Sequence, residues 1–200
     1  MDEIGFGALL CARLCHDLIN PISAARNGIA MVQDEADPAM RTDAMALAED
    51  GLVDAVEKLK VYRIAYGVAG SGTTLVEARA AALGLYDRGR VRVDWSEGGT
   101  DPGPEAVRLL LNLVLLGADA VARGGIVHVV SYGPAPAIKA TGGRAGFAPD
   151  VLSVLDGKTP PEALTPRQIQ AALTMRLAAR VHHTIAHTST DGAVSLSTNA

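Results

Sequence analysis

Between Gly7 and Tyr66 the chain carries two apolar seams whose members are three or four residues apart, and this pattern leaves little choice of local architecture. The first seam is Cys11, Leu14, Leu18, Ile22, Ala25, Ile29 and Val32; the second is Met45, Ala48, Leu52, Ala55, Leu59, Tyr62 and Tyr66. At about 100° per residue the first set stays within a stripe ~80° wide on a helix, whereas a strand would throw neighbouring members to opposite faces. The seams are separated by a short acidic stretch, Asp34 to Pro38, in which Asp37 is placed to cap a helix and Pro38 to occupy its first position. Two long helices joined by so short a turn run antiparallel. A lone hairpin leaves part of each seam in water, so the pattern predicts a homodimer in which two hairpins form a four-helix bundle.

The segment Gly67 to Gly72, reading GVAGSG, breaks the second helix and marks a boundary, giving an expected division into residues 1–68 and 73–200. Beyond it the reading is a helix over Leu75 to Leu85, a strand over Val91 to Trp95 and a strongly apolar helix from Pro104 to Arg123 that Gly124 and Gly125 end. Strands at Ile126 to Tyr132 and Ala137 to Thr141 flank a turn at Gly133 and Pro134. A helix from Thr165 to Val181 has Thr165 as cap and Pro166 first, and strands at Thr184 to Thr188 and Ala193 to Ser197 close the chain. The expected fold class is α+β, with a mixed sheet covered by helices on one face.

Composition removes several functions. With 48 % hydrophobic residues the chain can bury a core, and with only 4 % aromatics that core is Ala, Leu and Val, which suits close-packed helices. A net charge of −4 without a basic cluster argues against nucleic acid. Two cysteines one turn apart, Cys11 and Cys15, do not make a disulfide framework; they read as buried thiols of a cytoplasmic protein. No apolar run approaches the ~18 residues of a membrane span, and Asp2 and Glu3 stand where a signal peptide would be basic. His182, His183 and His187 cluster at a helix-to-strand corner with no nearby Cys and no acid but Asp191, too few partners for a metal, and read as polar surface.

Opposite the Leu14/Leu18 line of the first helix lies a polar stripe, His16, Asn20, Ser23 and Asn27, spaced 4, 3 and 4. A histidine there meets solvent with a ring nitrogen available as nucleophile or base near neutral pH. Asp17 follows immediately and can orient the ring. Pro21 deprives the Asp17 carbonyl of its helical donor, a defect worth ~3 kcal/mol in a helix interior.

The pattern His16, Asp17, Leu18, Asn20, Pro21 resembles the phosphoacceptor box of two-component histidine kinases. The longer run to Asn27 and Gly28 is similar to the ChpT-type histidine phosphotransferases of alphaproteobacteria. The resemblance implies a dimeric helical hairpin followed by an α/β sandwich shaped like a kinase ATP-binding domain that no longer binds ATP. The rest of the chain departs from the kinase pattern in the way this family would. Asn112 is followed four residues on by Leu116 where a kinase has a second Mg²⁺-binding Asn, and the turn ATGGRAG after Thr141 has no acid for an adenine amine. The stretch from Gly157 to Pro166, with Pro160 and Pro161, cannot form a glycine-rich phosphate loop.

The implied activity is transfer of a phosphoryl group between response-regulator receiver domains, including that of a hybrid histidine kinase, through phosphohistidine at His16. Mg²⁺ belongs to the receiver and the chain needs no cofactor of its own. From helix geometry Asp17 holds the imidazole, while Asn20 one turn on and Arg13 one turn before reach the phosphoryl oxygens. Ile19 and Ala24, with the second helix near Tyr62 and Tyr66, are the expected receiver contacts. The alternatives are an ATP-dependent sensor kinase core and a non-catalytic dimeric adaptor.

Overall fold

A computed structural model describes residues 1–34, 37–67, 73–96, 100–133 and 135–199. Helix α1 (Glu3–Asp34) and helix α2 (Pro38–Tyr66) form the expected hairpin. Asp37 caps α2 as the sequence indicates, its carboxylate accepting from the Ala39 amide at 2.8 Å with Pro38 next in line. Helix α1 starts four residues before Gly7, where the Asp2 carboxylate accepts from the Gly5 amide at 2.8 Å. Residues 35 and 36 of the connecting turn, 68–72 of the expected boundary and Pro134 of the expected Gly-Pro turn lie outside the described residues.

The two helices meet along a line of small residues, Pro21, Ala25 and Gly28 against Ala44, Ala48, Gly51 and Ala55, all buried. Glycine is required at the crossing. A Cβ on Gly28 would lie 2.6 Å from the Ala44 carbonyl oxygen, and one on Gly51 2.6 Å from that of Pro21. This corrects part of the seam reading: Ile22, Ile29, Met45, Leu52 and Leu59 do not face the partner helix but stand about half exposed. Cys11 and Cys15 are likewise exposed, not buried. The small-residue line lets the backbones approach closely, and the larger side chains sit roughly 80–100° round each helix from it. Because the helices are antiparallel and the rotation has the same sense in both, these side chains share one side of the hairpin.

The remainder comprises α3 (Leu75–Leu85), β1 (Val91–Asp94), α4 (Pro104–Ala120), β2 (Gly125–Ser131), β3 (Ala137–Thr141), α5 (Pro149–Leu155), α6 (Ile169–Arg180), β4 (Thr184–Thr190) and β5 (Ala193–Asn199), with a short 3-10 turn at Pro161–Ala163. The five strands form one mixed sheet in the order β1-β2-β3-β5-β4, parallel only between β1 and β2. Two details differ from the sequence reading. Helix α5 was not foreseen, and α6 begins at Ile169 rather than Thr165, because the Gln168 side-chain carbonyl accepts from both the amide and the hydroxyl of Thr165 and closes a turn there. Helix α4 is buried on almost every side, and its Leu109, Leu110, Leu113 and Leu116 share one core with Phe6, Val61, Ile64 and Ala65 of the hairpin. Among the described residues no helix is long and apolar enough to cross a membrane.

Candidate functional site

Helix α1 presents His16 to solvent with 76 % of its side chain exposed, while the neighbouring Asp17 carboxylate is only 17 % exposed. Consecutive helical residues point ~100° apart, so one reaches out while the other turns toward α2 and the C-terminal half. His16 Nδ1 lies 3.1 Å from Asp17 Oδ1. The other carboxylate oxygen accepts from Arg13 Nε and from the Tyr62 hydroxyl, each at 2.6 Å. Burial works to raise the pKa of Asp17, but the bonds from Tyr62 and Arg13, with the Arg13 charge, outweigh it and hold the carboxyl below its ordinary value. An ionised carboxylate only accepts, so Nδ1 is the protonated nitrogen of neutral His16 and the Nε2 lone pair faces outward. That is the tautomer a nucleophilic imidazole needs.

The proline one turn on has its explanation here. Lys58 Nζ donates to the Asp17 carbonyl at 3.2 Å, the acceptor that Pro21 leaves without its helical N–H, and is itself held by Asp54 at 2.9 Å. The backbone beneath the histidine is thus tied across the hairpin from α2.

Arg13 is committed more deeply than the sequence indicates. Besides its bond to Asp17, its Nη2 lies 3.4 Å from both carboxylate oxygens of Asp119 at the end of α4. Only 20 % of its side chain is exposed. Asn20 and Ser23 continue the polar stripe, Asn20 exposed and Ser23 half-buried. Among the expected receiver contacts, Ile19 is 61 % exposed, but Tyr62 and Tyr66 turn inward and do not offer a docking surface. They stack on each other, centroids 4.8 Å apart at 9°, and the Tyr66 hydroxyl donates to Gln170 Oε1 at 2.8 Å.

Gln170 in turn donates to Asn112 Oδ1 at 2.8 Å, and Asn112 Nδ2 donates to the carbonyls of Ala65 and Arg108 at 3.0 and 2.8 Å. Asn112 is fully buried, and both ends of its amide are used in fastening α2 to α4 and α6. A cleft of about 410 Å³ between the hairpin and the C-terminal half is lined by Arg13, Asp17, Lys58, Tyr62 and Asp119. Among the described residues no three His, Cys, Asp or Glu side chains converge as a metal site. His187 pairs with Asp156 at 3.0 Å.

The sequence places His16, Asp17, Asn20 and Arg13 on one stretch of helix but does not show Lys58 or Asp119 as their partners, and it assigns Tyr62 to receiver docking rather than to Asp17. The two on α2 were detectable in principle. Tyr62 is an aromatic with a hydroxyl at a seam position, and Lys58 lies one turn before it, but their partner on α1 follows from the hairpin register alone.

Comparison with known proteins agrees with this geometry. Residues 75–193 match the family described as the histidine phosphotransferase C-terminal domain. The chain is 30 % identical to the protein phosphotransferase ChpT of Brucella abortus over 185 residues, 89 % of this chain and 87 % of that one. A solved structure of a bacterial phosphotransferase superposes with a TM-score of 0.87 at 28 % identity, covering 100 % of this chain and 98 % of the other. A family match across more than half the sequence, and a relative 30 % identical over most of the chain, place this chain in the ChpT-type histidine phosphotransferase family.

Proposed function

We propose that this protein relays a phosphoryl group between response-regulator receiver domains through His16. The observation that carries the reading is the exposed His16 ring with Nδ1 bonded to a half-buried, ionised Asp17 and Nε2 open. The Nε2 lone pair attacks the phosphorus of a receiver's aspartyl phosphate, the P–O bond to that aspartate breaks, and the carboxylate leaves with the receiver. The product carries a proton on Nδ1 and a phosphoryl on Nε2, so the ring is cationic and Asp17 offsets its charge. The bond stays labile enough for a second receiver's aspartate to take the phosphoryl in the reverse chemistry. Positioning and charge neutralisation supply most of the catalysis, with Mg²⁺ brought by the receiver. Asn20 bonds the phosphoryl oxygens, and Arg13 adds positive charge one turn away while steadying Asp17.

The chain acts as two domains, 1–68 for phosphotransfer and dimerisation and 73–200 as a nucleotide-fold scaffold, in the cytoplasm and without a nucleotide of its own. Burial of Asn112 supports the last point, since its amide is fully enclosed and tied to Gln170, Ala65 and Arg108 rather than open to a metal in a nucleotide site. The apolar stripe of Ile22, Ile29, Met45, Leu52 and Leu59 on one side of the hairpin supports a homodimer.

The test exposes the full chain in parallel to a phosphorylated receiver and to ATP with Mg²⁺. Acid-labile phosphate is expected from the receiver alone, absent in His16→Gln. Label retained by that variant, or label acquired from ATP, would refute the reading, the second outcome in favour of a sensor kinase.

A further inference from the structure

We infer that Tyr62 is a positioning residue for His16, and that the C-terminal half holds it in place through Tyr66 and Gln170. The inference rests on the phosphotransfer reading above. Three donors fix the Asp17 carboxylate, and each comes from a different direction: His16 Nδ1 along the helix, Arg13 Nε from the preceding turn and the Tyr62 hydroxyl from α2. With the latter two in place the carboxylate cannot rotate away from His16 without breaking a 2.6 Å bond. Burial, and then the bond to Asp17, raise the Tyr62 pKa, so its hydroxyl remains a donor at any working pH.

Tyr62 cannot move freely either. It is 8 % exposed and lies face to face with Tyr66, whose hydroxyl is tied to Gln170 of α6 and through it to Asn112 of α4. Asp119, also on α4, fastens the second donor, Arg13. Two lines of contact therefore run from the C-terminal half to one carboxylate, and that carboxylate decides which nitrogen of His16 carries the proton. Networks of this kind are more rigid than their separate bonds because each member restricts the next. The arrangement gives a nucleotide-type domain that uses its Asn112 for fastening a reason to be retained: it sets the ring orientation of a histidine on another part of the chain.

The experiment uses the full-length protein and a phosphorylated receiver. Tyr62→Phe keeps the ring and the stack and deletes the hydroxyl alone. The expected result is a transfer rate at saturating receiver lowered roughly tenfold, the scale seen when the outer partner of a working histidine is lost. Half-saturation should be unchanged, and nitrogen NMR should show a mixture of His16 tautomers where the parent shows Nδ1–H. Tyr66→Phe, which cuts only the link to Gln170, should move the same signals less and serves if Tyr62→Phe does not fold. An unchanged rate, or a slower rate with the parent tautomer intact, would overturn the inference. A parent protein that takes no phosphoryl from the receiver would instead overturn the underlying function.

Discussion

At the residue scale, Pro21 and Lys58 form one unit although 37 positions separate them in the sequence. The proline removes a helical donor, and the lysine supplies a charged one to the same carbonyl. Lys58→Met, which keeps an unbranched stem but not the ammonium, should therefore cost about 1–2 kcal/mol in urea unfolding. In a Pro21→Ala background, where a backbone N–H can satisfy the carbonyl, the loss should shrink by at least half; equal losses in both backgrounds would separate the two residues. Asp17 adds a pH signature. Its carboxyl titrates below the ordinary range in the folded protein, so the stability it contributes is complete above the unfolded carboxylate value and disappears as the pH falls through the lower native value. Asp17→Asn should flatten that acidic limb of a stability-against-pH curve while changing the slope near neutrality little. The sequence exposed the His16/Asp17 pair because both lie on one helix, but Lys58 and Tyr62 reach Asp17 across the hairpin, and the register that brings them there depends on where Gly28 and Gly51 cross.

At the element scale, the hairpin resolves an ambiguity that spacing alone leaves open. A three-four repeat specifies a stripe, and here the stripe is two adjoining faces: small residues that bring α1 and α2 together, and larger ones, Ile22, Ile29, Met45, Leu52 and Leu59, that neither helix covers. Periodicity read them as one seam because they differ by only a quarter turn. Helix α5 escaped notice for a different reason: seven residues between proline and a left-handed Gly157 are too few to display a period. The uncovered face yields a prediction. Leu59 is 47 % exposed in the single chain, so Leu59→Glu costs little there, yet in a four-helix bundle it would bury an unpaired charge at several kcal/mol. Sedimentation at micromolar concentration should give about twice the chain mass for the parent and the single chain mass, with helical content retained, for the variant. A parent that sediments as a monomer would contradict the bundle.

At the scale of the whole molecule, one hydrophobic core runs from Phe6 and Val61 of the hairpin into α4 and α6, and a polar thread follows it from His16 through Asp17, Tyr62, Tyr66 and Gln170 to Asn112. The order of helices and strands in the C-terminal half, α5 apart, was legible in the sequence. The fastening role of Asn112 was not, because it needs partners 47 and 58 residues away. In the proposed relay this architecture protonates Nδ1 of His16 and leaves Nε2 to react. Phosphorus and nitrogen NMR of the intact protein after incubation with a phosphorylated receiver test it directly. The phosphoryl group should appear on Nε2 of His16 alone; a phosphoryl on Nδ1, or on any other side chain, would rule out this chemistry.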